Sequence, residues 1–221
     1  MPSPKKLEAL EAQPIENKIA RYVDAFVDSK EYYKAEAVRS ALIESLEKES
    51  EYIVLSTPAI VNFPSLSELE KIFEFMDANP KIGLLQPMSI TSHPHLQPNQ
   101  LKGASYKRVL FVQTNLAIIR RSALLEAGLP NERFTLGWGM DIEWSYRFRK
   151  FGHEVGITNL YEYTSNGHDA VYPQGQATYK IHADHIMKTV LSEMFPSKDI
   201  LLGEFKGQIN VDYFFPDEKK K

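Results

Sequence analysis

The chain has 221 residues, of which 43% are hydrophobic, 11% aromatic and 25% charged, with a formal net charge of −3 at pH 7. That length fits one extended globular unit, and that apolar content supplies a sizeable core, which excludes global disorder. With 26 basic against 29 acidic residues the chain lacks the excess of a dedicated nucleic-acid binder, and with no cysteine it forms no disulfide, thiolate metal site or cysteine nucleophile. No run reaches the ~18 apolar residues of a membrane span and the amino terminus has no apolar leader core, so the expectation is a cytoplasmic protein.

Residues 1–14 are polar and proline-bearing, which predicts a flexible N-terminal segment before order begins near Ile15. Ile19, Tyr22, Val23, Phe26 and Val27 fall at helical spacing and predict a helix from Asn17 to Asp28. A second helix is predicted over Tyr33 to Lys48. Tyr52-Ile53-Val54-Leu55, followed by Pro58, reads as a buried strand. Ser65 three residues ahead of Glu68 has capping-box spacing and opens a helix to about Asp77, which Asn79-Pro80 stops. Ile82 to Leu85 is another buried strand, and the alternation favours an α/β sheet with helical crossovers.

The stretch from Gln86 to Lys107, with His93 and His95, is long for a plain connection and predicts a functional loop. Val109 to Val112 and Leu116 to Ile119 read as strands, and Ser122 to Ala127 as a short helix closed by Gly128. A turn-rich segment leads to a helix from Asp141 to Phe151, stopped by Gly152, and Glu154 to Thr158 is extended. The last helix, about Ala177 to Met194, is expected to turn Ile181, Ile186, Val190, Leu191 and Met194 inward. Residues 199–221 form a C-terminal extension with a charged tail.

The segment 132–152, ERFTLGWGMDIEWSYRFRKFG, carries the chemistry. Gly137 and Gly139 free the backbone just before Asp141, which opens a helix; there the unpaired N–H groups and the dipole favour a charged carboxylate, so Asp141 is expected to be ionised. Two roles stay open for it on spacing alone, a helix cap or a general base. Glu143 and Arg147 have the favourable i,i+4 order for a structural pair, and Trp138 is either a core filler or a platform for the apolar face of a sugar. His182 and His185 lie three apart on one helix face with no third ligand in view, and Arg120-Arg121 and Arg147 to Lys150 are basic clusters suited to solvation or to a phosphate.

The blocks EYIVLSTPAIVNFPSLSELEKIFEFMDANPKIGLLQP, NLAIIRRSALLEAGLPNERF and GWGMDIEWSYRFRKFGHEVG, in that order, resemble the second half of a family 2-like inverting glycosyltransferase of the GT-A fold. The resemblance covers roughly two thirds of the chain and implies an α/β, GT-A-like mixed sheet flanked by helices over residues 15–198. It places Asp141 on the family's catalytic base and Glu143 on its second acid. Trp138, Gly139 and Met140 fall on the loop facing the acceptor, and Thr57 lies beside the donor. It further implies a nucleotide-sugar donor, a glycan or other hydroxyl acceptor, and a divalent cation, manganese or magnesium.

The pattern departs in two places. Thr57 and Ala59 stand where the family's Asp-x-Asp motif would hold that cation, and His168 falls on a late histidine sometimes used as a ligand. Residues 1–50 read as two helices in place of the strand-helix-strand unit that opens the family's nucleotide site, which reads as truncation at the N-terminus and is compatible with metal-free catalysis by basic side chains, with a partner chain or a homo-oligomer completing the site, or with lost activity and retained binding. The rival reading is a reduced domain that serves as a carbohydrate-binding or assembly module.

Overall fold

In the computed structural model the described residues are 22–26, 35–90, 101, 104–165 and 176–216. The readings made for residues 1–14, His93, His95, His168 and the 217–221 tail lie outside them. The strands are β1 (Tyr22–Phe26), β2 (Tyr52–Ser56), β3 (Ile82–Ser89), β4 (Tyr106–Arg108), β5 (Leu116–Arg120) and β6 (Glu154–Tyr163). The helices are α1 (Ala35–Leu46), α2 (Leu66–Ala78), α3 (Arg121–Ala127), α4 (Met140–Lys150), α5 (Gln176–Met194) and α6 (Lys198–Leu202).

The strands form one mixed sheet in the order β1-β2-β5-β3-β6-β4. β1 and β2 are parallel, as are β3 and β6, whereas β5 runs antiparallel to both β2 and β3 and β4 antiparallel to β6. Thus β1, β2, β3 and β6 all point the same way and end on one edge. The apolar runs read from the sequence are buried on both faces, as strands covered by helices must be. Ile53, Leu55, Leu84, Ala117 and Ile119 pack with α1, α3, α4 and α5, while Tyr52, Val54, Leu85, Leu116 and Ile118 pack with Leu69, Ile72, Phe73 and Met76 of α2. This is the expected α/β class, a mixed sheet flanked by helices.

α2 begins as its sequence predicts: Ser65 caps it, and the Glu68 carboxylate accepts the Ser65 backbone N–H at 2.7 Å. Arg120 closes the other end of that layer by donating to the carbonyls of Met76 at 2.6 Å and Ile82 at 3.1 Å. Arg121 donates to the Leu46 carbonyl at the end of α1, at 3.1 Å. Both arginines therefore bind main chain.

Three expectations are corrected. Residues 22–26 are a strand, so β1, α1 and β2 form a strand-helix-strand unit where two helices were expected. The aromatic and β-branched run Tyr22-Val23-Asp24-Ala25-Phe26 fits either period, and pairing along the whole length of β2 outweighs local helical spacing. Val109 to Val112 is a buried irregular segment, because the edge strand β4 precedes it and ends at Arg108. Ile181 is 68% exposed, since the inward stripe of α5 runs through Ala183, Met187, Val190 and Leu191.

Gly83 in β3 is required by close approach. A Cβ there would stand 2.8 Å from the His153 Cβ and 2.9 Å from the Ala123 Cβ, neither of which can swing aside. Gly83→Ala is expected to lower stability by about 2 kcal/mol, read as a shifted urea-unfolding midpoint at unchanged slope.

Candidate functional site

The carboxyl edge of the parallel strands carries a cluster of buried polar groups, the place where open α/β sheets tend to build sites. Gln86, fully buried in β3, donates to the Tyr163 hydroxyl of β6 at 2.7 Å and accepts the Gln113 backbone N–H at 2.8 Å. That pins the segment entering β5. From it Thr114 Oγ1 donates to Asp141 Oδ1 at 3.0 Å, and the Thr114 main chain also bonds this carboxylate. The neighbouring Asn115 carbonyl accepts the Thr57 N–H at 2.9 Å. Asp141 and Thr57 are therefore gathered around one short turn, from opposite ends of the sequence resemblance.

Asp141 sits in the first turn of α4, as read, but its carboxyl is not the ionised group that helix position alone predicts. Burial pushes it up from an ordinary 3.8 to about 7, against the lowering effect of the Thr114 hydrogen bonds. Desolvation exceeds what a helix terminus supplies, typically under about 2 kcal/mol.

Behind it the backbone is tightly specified. Gly139 has φ +84, and a Cβ there would lie 2.7 Å from Met187 and 2.8 Å from Phe134. Gly137, with φ +79, closes a turn by donating to the Phe134 carbonyl at 2.7 Å. Trp138 between them is half-buried, packs on the main core and meets the Tyr179 ring edge-on at 6.4 Å. Met140 is buried in that core, so its side chain fills space instead of lining a cleft.

Glu143 is also turned away from the Asp141 cluster. It is buried and holds Arg147, Nε to Oε1 at 2.7 Å, while Arg147 donates to the carbonyls of Ala127 and Leu129 at 2.7 and 2.6 Å. This is the structural pair its spacing predicts, and it borders a cleft of about 390 Å³ with Arg39, Asn131 and Glu132. A second cleft, of about 440 Å³, lies around Lys81, Arg149 and Lys150. Neither reaches Asp141, Trp138 or Thr57.

A divalent cation takes six or more oxygen ligands, with carboxylates prominent. At the end of β2 the structure offers the Ala59 methyl and the buried Thr57 hydroxyl, which has no hydrogen-bond partner among the described residues. Among the described residues no three His, Asp or Glu side chains are grouped to hold a metal; His182 and His185 are exposed on α5. This donor set does not fit the cation that the resemblance implies, and no step is routed through one.

Gln86, Thr114 and Tyr163 were not singled out from the sequence. Gln86 carried the one available signal, a polar residue closing an apolar strand run; Thr114 carried none, because its role depends on the course of the chain into β5.

No family model matches the sequence, and no curated protein matches it. Among solved structures the chain is similar to GalNAc-T7, whose crystal structure holds UDP, GalNAc and Mn2+, with TM-score 0.47 and 12% identity over 81% of this chain and 39% of that one. It is similar to a mycobacterial protein with TM-score 0.42 and 13% identity over 83% of this chain and 54% of that one. It is also similar to S. aureus TarS 1-349 with TM-score 0.43 and 10% identity over 80% of this chain and 55% of that one. The chain thus spans from about two fifths to just over half of the length of these structures. No helix among the described residues is long and apolar enough to cross a membrane.

Two predictions follow from the buried acids. Asp24 of β1 is likewise pushed up by burial, to about 6, against the pull of Lys48. An unfolded carboxyl loses its proton near pH 4, whereas these two keep theirs to about 6 and 7, so between those values the folded state binds more protons. Stability is therefore fully present below pH 4 and falls as pH rises to about 7. Asp141 accounts for at most about 4 kcal/mol of that fall. In Asp141→Asn the fall between pH 4 and 8, followed by urea unfolding, is expected to be smaller than in the parent. Thr114→Val removes a bond that favours the charged form and is expected to raise the Asp141 titration further, measured by carboxyl carbon NMR.

Proposed function

We propose that the protein transfers a sugar from a nucleotide-sugar donor to a hydroxyl acceptor with inversion, using Asp141 as general base. The observation that carries this reading is the Asp141 carboxyl itself: at the carboxyl edge of the sheet, oriented by Thr114, and titrating near neutrality, where a base is both available and strong enough to take a proton. The sequence resemblance to inverting glycosyltransferases over the Gly137-to-Gly152 segment supplies the reaction class.

In this reaction the acceptor hydroxyl oxygen attacks the anomeric carbon of the donor. Its proton passes to the Asp141 carboxylate as the bond to the nucleoside diphosphate breaks on the opposite face, so one displacement inverts the centre. Thr114 orients the carboxyl by donating to Oδ1. Trp138, held by the two positive-φ glycines, offers a ring edge and part of a face for the apolar side of a sugar. Thr57, with an unspent hydroxyl at the end of β2, belongs to the donor side. The charge of the leaving diphosphate must then be met by cationic side chains or by another chain, because the local donor set does not suit a divalent metal.

A second reading has its own support. Thr57 and Ala59 supply no carboxylate for a cation, which favours a carbohydrate-binding or assembly module. Product analysis with UDP-, GDP- and dTDP-sugars, with and without manganese, separates the two. Under the first reading the rate rises about tenfold per pH unit below 7 and levels above it, because the base must lose its proton, and Asp141→Asn lowers it by about 10²- to 10⁴-fold. Turnover that survives the substitution removes Asp141 from the role. Sugar binding without turnover of any donor establishes the module.

A further inference from the structure

The two ends of α4 serve different chemistry. Asp141 stands in its first turn and Arg149 and Lys150 in its last, roughly 12 Å apart at 1.5 Å per residue. Beyond that last turn the 440 Å³ cleft opens at the amino ends of β3 and β6, the sheet edge opposite the Asp141 cluster. Its walls carry Lys81, Arg108, Arg149 and Lys150 against Glu154 and Glu204, an excess of positive charge in a chain whose net charge is −3.

These cations are not equivalent. Arg108 is committed, since it pairs with Glu204 and stands 4.0 Å from Glu154. Lys81 and Lys150 are exposed and enter no ion pair with any described residue. Arg149 donates to the Leu201 carbonyl at 2.9 Å and lies over the rings of Tyr146 at 5.7 Å and Phe205 at 5.6 Å. Its buried Nε has no hydrogen-bond partner, and it forms no ion pair among the described residues. Burial pulls it down to about 10, the mark of a cation only partly compensated by its surroundings.

The plain alternative is that basic residues in a last helical turn merely offset the helix dipole. Here three of the last carbonyls are already taken by main chain: Phe151 donates to the Arg147 oxygen at 3.1 Å, Gly152 to that of Arg149 at 3.0 Å and His153 to that of Phe148 at 3.0 Å. The cationic heads face the cleft instead. A doubly charged, compact anion with several oxygens answers two lysines without an ion pair and a partly compensated arginine better than a single carboxylate does.

We propose that this cleft binds the phosphate or diphosphate group of a small soluble ligand, with Lys81 and Lys150 holding its oxygens at the mouth and Arg149 providing positive charge behind them. Titration of the full chain with sodium pyrophosphate, followed by calorimetry and by thermal shift against sodium chloride at equal ionic strength, tests it. Lys81→Ala/Lys150→Ala changes only exposed side chains, and circular dichroism verifies its fold. Saturable binding to the parent that weakens about tenfold or more in the double variant is the expected result. No response beyond chloride, or equal binding by parent and variant, overturns the proposal; the second outcome places the anion elsewhere, as at the Asp141 edge. Sedimentation with vesicles containing phosphatidic acid, but not with pure phosphatidylcholine, combined with no pyrophosphate binding, would overturn the small-ligand assignment in favour of a lipid headgroup.

Discussion

The hydrogen bond between Thr114 and Asp141 joins the segment entering β5 to the first turn of α4, two parts of the fold that also meet where the Val112 N–H donates to the Ser145 hydroxyl at 3.3 Å. It exists because β5 runs antiparallel between β2 and β3. The chain must therefore enter β5 at the edge where β2, β3 and β6 finish, and α4 delivers its first turn to the same place. Gln86 then fixes the entering segment by taking the Gln113 N–H, while its other end holds Tyr163. Gln86, Thr114 and Tyr163 are buried, so leaving one of them unmatched would cost about 1–3 kcal/mol. The Asp141 carboxyl inherits its position, its dryness and its raised titration from that arrangement.

Much of this fold was legible in the sequence where local rules agree with tertiary packing. α2 carries a capping box, a single apolar stripe and an Asn-Pro stop, and it forms where these signals place it. β2 and β5 are short apolar runs that only a strand buried on both faces explains well. Residues 22–26 failed because five residues cannot distinguish period 2 from period 3.6, and the deciding factor, β2 alongside, is invisible locally. Ile181 failed for a related reason: it fits a helical stripe numerically, but α5 turns a neighbouring stripe to the core.

The backbone around Asp141 was legible in the sequence, and the state of its carboxyl was not. Glycines at 137 and 139 ahead of an acid pointed to Asp141, and the structure supplies the reason for both, since each has a positive φ and Gly139 has no room for a Cβ. The protonation of Asp141 could not be read, because a helix start favours the charge while burial opposes it, and burial is set by residues far away in sequence. Glu143 had the reverse outcome: two positions along the same helix, its spacing to Arg147 was sufficient to give its actual role.

That contrast explains why α4 serves as the organising element of the molecule. Its middle is consumed by packing, with Trp144 and Phe148 wholly buried and the Trp144 indole donating to the Gly128 carbonyl at 2.7 Å. Its ends carry the polar groups. At the start, burial raises the Asp141 carboxyl to about 7 against the lowering effect of the Thr114 hydrogen bonds; at the finish, Arg149 and Lys150 line a cleft. Because Trp144 and Phe148 anchor the helix in the core, its two ends keep a fixed separation, and the Asp141 carboxyl and the basic cleft stay on opposite edges of the sheet.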